Sequence, residues 1–500
     1  MTSATTFDEE TPLLPEQQKK KPTPLPWAQF SILLILQLAE PLTSQVIYPF
    51  LPQLIRDVGV THGDETRVGY YVGLLQSIFF ATQAITVLHW SRLSDHIGRK
   101  PVIMIGLFGL SLSMYCFGLS TTFWGAVLSR SLNGALNGNI GVLKSMIAEI
   151  TDSTNLAQAY SYLPIAWSTG GTLGPMIGGF LSRPTERFPT VFGNSEFLKE
   201  HPYFLACAVP ATFSAVAWLV TLTCLNETVA TPSSVRLVVK NWLNKHNLAL
   251  QSVSDGLDNK PSATGGLTSS KKDAPLPLKK VLNSRVLISA LNYACLALVD
   301  ISSRAIQPVF FSTPVELGGL GLAPHHIGKI LSIYGLLNGF IQIFCFAKTH
   351  ARFGTKRVYQ AGIASSLLVF ISFPIINYIA RTAGETHLLV WLAVAFHVVV
   401  SIFINFSYGC VFIYITASSP NRASLGTVNG IAQFGVSIVR AIGPATANSL
   451  FSVSIDPARH YLGGNLVYWA MTGLTMFALL AGSYLPKKLW GPEDDSEEES

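Results

Sequence analysis

The sequence predicts an all-α membrane protein with twelve transmembrane helices, and three observations lead to this fold class. Of the 500 residues, 49% are hydrophobic and only 12% are charged, whereas a soluble domain carries about 25% charged residues. The mean hydropathy of the chain is +0.39. The charges collect in short islands, and the stretches between them reach the roughly 20 residues that a helix needs to cross a bilayer.

Twelve apolar segments account for most of the chain. They lie near 28–50, 69–90, 101–120, 123–146, 160–181, 203–225, 286–311, 326–347, 358–380, 387–416, 424–452 and 466–485. The polar stretch between the sixth and seventh segments divides them into two halves. We therefore predict an N-terminal six-helix bundle at 27–225 and a C-terminal six-helix bundle at 285–486.

The remaining segments are polar. We expect a disordered cytosolic tail at 1–26, a flexible cytoplasmic central loop at 226–284 and an acidic cytosolic tail at 487–500. Within the first tail, the sequence EETPLL resembles an acidic dileucine sorting signal, and a plain disordered tail explains it equally well. The start of the central loop, residues 235–245, has the pattern of a basic amphipathic helix, lying either on the inner leaflet or beneath the bundle.

The distribution of lysine and arginine predicts the orientation of the chain. Positive charges are enriched in cytoplasmic loops, and the short loops after the second and eighth segments are basic. Both termini are therefore expected to be cytoplasmic, in the plasma membrane or a vacuolar-type internal membrane.

Several classes of function are disfavoured by composition. The six cysteines lie within or at the ends of apolar segments, where they are expected to act as small packing residues. The eleven histidines are scattered, without a metal-binding pattern or a nucleophile motif, so an enzyme is disfavoured. We expect no cofactor, no metal site and no nucleic-acid partner; the net charge of +6 is attributed to topology. A monomer in the lipid bilayer is expected.

The two halves contain a weak internal repeat. SRLSDHIGRKPV at 91–102, after the second segment, matches AKTHARFGTKRV at 347–358, after the eighth. Gly174-Pro175 in the fifth segment likewise corresponds to Gly443-Pro444 in the eleventh. Repeats of this kind predict two pseudo-symmetric bundles with a binding site between them near the membrane midplane.

The loop at 91–100 resembles the signature loop of the major facilitator superfamily and, within it, of the twelve-span drug:proton antiporter family. The family pattern is G-x-L-a-D-r-x-G-r-k; Ser91 replaces the first glycine, and the matching residues are Leu93, Asp95, Gly98, Arg99 and Lys100. We call residues 91–100 the gating loop, because the resemblance implies that they latch the two bundles at the inner gate. Asp95 is suited to cap a helix or pair with a basic residue, and Gly98 permits a tight turn.

The fourth segment resembles the R-x-x-x-G pattern of the same family. Arg130 lies about 10 Å from the start of this helix, and the resemblance implies a buried arginine, facing the cavity, that influences proton exchange. Snorkelling to the outer surface is the alternative. Gly134 and Gly138 are one turn apart and are expected to allow close packing of another helix.

The fifth segment carries the sequence GGTLGPMIGG, which resembles the glycine–proline motif of antiporters in this superfamily. The residues concerned are Gly170, Gly174, Pro175, Gly178 and Gly179. Proline removes a backbone hydrogen bond and glycine allows close approach, so a bend that serves in rocking is expected.

Charged residues within the segments are the candidates for proton coupling and for lining the cavity. A charge at the centre of a bilayer costs about 3 kcal/mol on insertion scales, so a functional role is the default hypothesis. The candidate acidic residues are Glu40, which precedes Pro41, and Asp300. The candidate basic residues are Arg130, Arg304 and Arg440. Asp300 and Arg304 are one turn apart, and a purely local ion pair is an equal alternative for them.

The function expected from these features is proton-coupled efflux of a small organic molecule, a drug or a secondary metabolite, by alternating access. Glu40 is the preferred proton carrier. Two rivals are kept: an importer or uniporter of a sugar, organic acid or metal chelate on the same fold, and a membrane sensor that transports nothing.

Overall fold

The computed structural model describes residues 23–152, 155–228, 281–384, 386–420, 424–458 and 461–490. The predictions for the N-terminal tail up to residue 22, most of the central loop and residues 491–500 lie outside the described residues. All regular structure in the described ranges is helical, with no strand.

Eighteen α-helices fall within the described ranges, labelled here in chain order. They are α1 Trp27–Gln45, α2 Leu51–Asp57, α3 Val68–Ile97, α4 Arg99–Leu119, α5 Phe123–Leu136, α6 Asn139–Ile150, α7 Leu156–Leu181, α8 Pro184–Arg187, α9 Pro189–Phe192, α10 Glu196–Glu200, α11 Phe204–Cys224, α12 Ser284–Ser312, α13 Pro324–Phe353, α14 Thr355–Ala383, α15 Leu388–Ile402, α16 Ile404–Ala417, α17 Leu425–Ile455 and α18 Leu466–Ser483. Short 3₁₀ turns lie at Glu65–Arg67, Val315–Leu317 and Tyr461–Gly464.

Each of the twelve predicted segments coincides with helix, but two of them are interrupted. The fourth segment is divided into α5 and α6 at Asn137, whose ψ of 70° is not helical. The tenth is divided into α15 and α16 at Phe403. By length and composition, eight helical stretches in the described part of the chain are long and apolar enough to cross a membrane.

The described ends of the chain lie at one end of the helix bundle, which we call the terminal face. Asn155, at the start of α7, donates a hydrogen bond to the carbonyl oxygen of Thr23 at 3.3 Å. Lys356, at the start of α14, donates one to the carbonyl oxygen of Ser483 at 2.7 Å. Helices α7 and α13 are antiparallel, so the start of α7 and the end of α13 share this face. The opposite end, which carries the loops at 58–67, 183–203 and 313–323, is called the distal face.

Helix α7 packs between α1 of the first half and α13 of the second, and glycines form both contacts. On one side, a Cβ added at Gly170 would lie 2.6 Å from Pro41, and one added at Gly174 would lie 2.8 Å from the Gln45 side chain. On the other side, a Cβ added at Gly179 would lie 2.8 Å from the Cα of Gly328. The glycine–proline motif therefore provides two close-packing faces on one continuous helix that contains Pro175.

The second half repeats this arrangement with α17 packed between α12 and α3. A Cβ added at Gly443 would lie 2.7 Å from Ile301 of α12. A Cβ added at Gly73 of α3 would lie 2.8 Å from the carbonyl oxygen of Pro444. The contacts thus follow the sequence repeat, because the corresponding glycine–proline pairs lie on corresponding helices.

The two halves meet along the distal part of their interface. The backbone N–H of Ala445 donates to Ser77 Oγ at 2.9 Å, and Asn448 donates to Gln76 at 3.2 Å. Seven and eleven residues before Ala445, on the same face of α17, Ile438 and Phe434 are 42% and 60% exposed. The interface therefore opens towards the terminal face, and we call this conformation distal-closed.

Candidate functional site between the two halves

Glu40 lies in the middle of α1, directly before Pro41. Proline cannot donate a backbone hydrogen bond, and the Pro41 ring packs against Gly170 of α7. The Glu40 side chain is 7% exposed. A carboxylate placed here is held away from bulk solvent at a point where α1 and α7 are tightly packed.

The surroundings of Glu40 come from both halves. Its carboxylate interacts electrostatically with three residues of the first half, Gln83, Asn137 and Lys144. It also interacts with Arg440, from α17 of the second half. Asn137 reaches this position from the interruption between α5 and α6. The charge of Glu40 is therefore balanced in part by a residue that belongs to the opposite half.

Asp300 lies in a network within the second half. Its Oδ1 accepts a hydrogen bond from Arg304 Nε at 2.8 Å, and its Oδ2 accepts one from the Tyr408 hydroxyl at 3.0 Å. Arg304 Nη2 also donates to the Tyr334 hydroxyl and to Asn405 Oδ1, both at 3.1 Å. The local ion pair between Asp300 and Arg304, one of the two alternatives predicted from the sequence, is thus present. The network joins α12, α13 and α16.

Arg440 is within electrostatic range of both acidic sites. It is next to Tyr408 and Tyr293 and within electrostatic range of Asp300, and it also acts on Glu40. The closest ionic partner of Asp300 is Arg304 rather than Arg440. Arg440 is consequently the basic residue of the second half that faces the acid of the first.

Arg130 is buried in the first half and does not extend to the surface. It is 2% exposed, and its guanidinium carbon lies 4.6 Å from the centre of the Phe79 ring. Its Nε and Nη1 have no hydrogen-bond partner among the described residues. The cation–π contact stabilises the charge, and the snorkelling alternative is wrong. A role of Arg130 in proton exchange stays a prediction.

Gly134 and Gly138 pack against α3, as predicted for this segment. A Cβ at Gly134 would collide with the backbone of Phe79 and the side chain of Thr82, and one at Gly138 would collide with Trp90. The Trp90 indole N–H also donates to the carbonyl oxygen of Ala135 at 2.7 Å. These glycines therefore hold the helix that carries Arg130 against the Phe79 ring.

Tyr48 is a site residue that the sequence did not reveal. It follows α1, and its hydroxyl interacts electrostatically with four charged residues: Arg130, Arg304, Arg440 and Asp300. Tyr48 is therefore within electrostatic range of charged residues from both halves. The only signal in the sequence is an aromatic residue with a polar tip near the end of an apolar segment, which is common in membrane proteins.

The gating loop is anchored to the first half and to Glu227, which closely follows it. Arg99 Nε and Nη2 donate to Glu149 Oε1 at 3.1 and 2.9 Å. The backbone N–H groups of Arg99 and Lys100 donate to the carboxylate of Glu227 at 2.8 and 3.0 Å, which caps α4. Lys100 Nζ donates to the carbonyl oxygen of Leu222 at 2.9 Å.

Gly98 separates α3 from α4 with a φ of 105°, and Gly354 separates α13 from α14 with a φ of 79°. Residues with a side chain rarely adopt this conformation, so the tight turn predicted for Gly98 is present in both repeats. Asp95 lies in the last turn of α3, and its side chain is outside the described part of the chain. The contacts named for Arg99 and Lys100 are with the first half and with Glu227, which closely follows it, and the latch between bundles stays a prediction.

Comparison with known proteins agrees with this architecture. The family model of the Major Facilitator Superfamily matches residues 33–444. The chain is 29% identical over 487 residues to the major facilitator-type transporter psiT2 of Psilocybe cyanescens, covering 92% of this chain and 89% of that protein. It is 26% identical over 503 residues to the efflux pump azaK of Aspergillus niger, covering 96% of each.

A solved structure of a bacterial homologue of the human lysosomal transporter Spinster has the same fold. The TM-score is 0.63 at 13% sequence identity, and the match covers 93% of this chain and 98% of that one. The superfamily predicted from the gating loop, the R-x-x-x-G pattern and the glycine–proline motif is confirmed. This chain belongs to the Major Facilitator Superfamily of membrane transporters.

Proposed function

We propose that this protein is a proton-coupled exporter of a small organic molecule that works by alternating access. In this proposal all twelve predicted segments cross the membrane, in two six-helix bundles at 27–225 and 285–486. Both termini are cytoplasmic, which makes the terminal face the cytoplasmic one, and the transporter acts as a monomer. The efflux direction is supported by the similarity to relatives named as efflux pumps and multidrug transporters.

The observation that carries the proposal is the contrast between the two buried acids. Asp300 is neutralised inside its own half by Arg304 and Tyr408, so a rigid movement of the half leaves its partners in place. Glu40 has one countercharge in its own half, Lys144, and a second and larger one, Arg440, in the opposite half. A rocking movement that separates Glu40 from Arg440 leaves a buried carboxylate without that countercharge, which favours proton uptake.

Proton binding at Glu40 is thereby coupled to the conformation of the transporter. In the distal-closed conformation the interface opens towards the terminal face, which the proposal assigns to the cytoplasm, where the organic substrate enters. After the switch to the other conformation, Glu40 exchanges its proton with the distal side. Protonation and substrate binding then alternate, and proton re-entry drives efflux.

The test is transport in proteoliposomes with and without an imposed pH gradient, using a panel of candidate drugs and fungal-type metabolites. Wild-type protein is expected to accumulate substrate only when the gradient is present. Glu40→Gln is expected to bind substrate and to exchange it down its own gradient, but to lose the response to pH. Glu196→Gln, which alters an exposed carboxylate on α10, is the matched control and should behave like wild type.

Two results would overturn the proposal. Transport by the wild-type protein at the same rate in the presence and absence of a pH gradient would exclude proton coupling. A Glu40→Gln variant with an unchanged response to the gradient would exclude Glu40 as the proton carrier.

A further inference from the structure

Four basic residues cluster at the distal rim of the interface between α7 and α13. Arg187 comes from the first half, and His325, His326 and Lys329 come from the first turns of α13 in the second half. We call these four residues the basic rim. They lie just outside the close contact between Gly179 and Gly328, so the cluster is completed only when the distal face is closed.

The geometry of the basic rim is organised around one aromatic ring. The guanidinium carbon of Arg187 lies 4.8 Å from the centre of the Phe180 ring, and Lys329 Nζ lies 5.7 Å from it. The rings of His325 and His326 are 4.0 Å apart. Two permanent cations from opposite halves thus share one ring, beside a pair of imidazoles.

No acidic residue balances this charge within the described part of the chain. His325 and His326 both interact electrostatically with Arg187 and Lys329, and His325 also interacts with His326. All of these neighbours are basic. The adjacent acid, Glu186, is paired with Arg183 at 3.1 Å.

The side chains of the rim also have unused donors. Arg187 Nε is buried without a hydrogen-bond partner among the described residues. Helix α13 begins at Pro324 with no side-chain cap. The start of a long helix carries a partial positive charge that favours an anion; Pro324 has no N–H and the His326 N–H donates to the carbonyl oxygen of Ala323 at 3.0 Å, which leaves the N–H of His325. A cluster of like charges with unpaired donors is costly unless an anion occupies it.

We propose that the basic rim binds a phosphate group, and that the bound anion links the two halves on the distal face. The phosphate could belong to a free ion or to the headgroup of an anionic phospholipid, since both present the same oxygen atoms to arginine and lysine. Binding to residues of both halves stabilises the distal-closed conformation, because a ligand favours the state in which its site is complete.

The experiment uses the full-length protein in nanodiscs and measures its thermal unfolding. One arm titrates inorganic phosphate against chloride at constant ionic strength in phosphatidylcholine nanodiscs. The other arm compares nanodiscs of phosphatidylcholine with nanodiscs that contain phosphatidylglycerol. The variant is Arg187→Gln/Lys329→Gln, and the control is Lys199→Gln, which removes an exposed cation on the same face that is paired with Glu196.

Wild type and the control are expected to be stabilised by phosphate, by phosphatidylglycerol or by both. The double variant should need at least about 10-fold more ligand for the same stabilisation, which corresponds to a loss of roughly 1.4 kcal/mol. A response only to phosphate assigns the site to a free ion, and a response only to phosphatidylglycerol assigns it to a lipid. Arg187→Lys/Lys329→Arg, which retains both charges, should respond and thereby excludes a folding defect as the cause.

The proposal is overturned if wild type responds to neither ligand, or if the double variant responds as wild type does. It does not depend on the transported substrate. Failure of the Glu40 experiment therefore leaves the basic rim untouched, and the reverse also holds.

Discussion

Arg56 is expected to hold the distal face closed, and Arg56→Ala should release it. Arg56 lies on α2 of the first half. Its Nη1 donates to Ser312 Oγ at 2.6 Å and its Nη2 to the carbonyl oxygen of Ser312 at 2.9 Å, at the end of α12 in the second half. Arg56 Nε donates to Glu65 Oε1 at 3.0 Å and to Glu65 Oε2 at 2.9 Å, and this ion pair orients the guanidinium.

The magnitude follows from which contacts change when the distal face opens. Arg56 and Glu65 both belong to the first half, so their ion pair is kept in either conformation and does not bias the equilibrium. Of the hydrogen bonds that Arg56 donates, the two to Ser312 join the halves and are lost on opening. A hydrogen bond involving a charged group contributes about 1.5–3 kcal/mol when buried, and the Arg56 side chain is 17% exposed. We therefore take about 1 kcal/mol each, or roughly a 30-fold shift in the ratio of conformations.

The assay is a distance measurement by pulsed electron paramagnetic resonance. Spin labels at Lys199→Cys and Thr386→Cys, both exposed positions at the distal face, report the separation of the halves in a background without the native cysteines. Arg56→Ala should add or enlarge a population with a longer distance. Arg67→Ala, which removes an arginine paired within the first half to Asp64 at 3.0 Å, is the control. Identical distance distributions for Arg56→Ala and wild type would refute the reasoning.

Three further substitutions test other parts of the structure. Asp95→Asn is expected to slow the transport cycle in proteoliposomes while leaving equilibrium substrate binding intact; equal loss of both would contradict a gating role. Gly179→Val should oppose distal closure, because its Cβ would lie 2.8 Å from the Cα of Gly328, and the same spin-label pair should then report a longer distance. Tyr408→Phe removes a 3.0 Å hydrogen bond to Asp300 and should lower the free energy of unfolding by about 1 kcal/mol; an unchanged melting temperature would argue against that bond.

The positions of the helices could be predicted from the sequence because the bilayer imposes a minimum length on each apolar segment. The interruption at Asn137 could not. Asn133 and Asn292 lie inside helices without interrupting them, so an asparagine in an apolar segment does not by itself predict a break. Here a Cβ at Gly138 would collide with Trp90, so the close approach of α3 to this bend is a property of the tertiary structure.

The candidate site was predictable to the extent that a charge in an apolar segment is itself a signal. Glu40, Arg130 and Asp300 stand out in this way. The sequence does not reveal which residue a charged side chain contacts when that residue is an uncharged aromatic ring or belongs to the other half of the chain. Phe79 under Arg130, and Ser312, which is 256 positions from Arg56, become identifiable only when the helices are packed.

Comparison of the gating loop with its repeat at 347–358 separates the contacts that both halves make from those that only the first half makes. Lys100 and Lys356 occupy equivalent positions, and each donates to a backbone carbonyl at the end of the last helix of its half, Leu222 and Ser483 respectively. Each copy of this contact fixes a helix end within its own half, and a gating role of Lys100 stays a prediction.

The anchoring of Arg99 has no such counterpart, because the equivalent residue is Thr355. Glu149 fixes the Arg99 side chain, and Glu227 fixes the adjoining backbone. These contacts tie the start of α4 to α6 and to Glu227, so we expect the loop to move together with the first half and to carry Asp95 with it. In the distal-closed conformation the interface opens towards the terminal face, so we expect Asp95 to engage the second half only after the switch. This order is the reason that Asp95→Asn should affect the rate of cycling and not the binding of substrate.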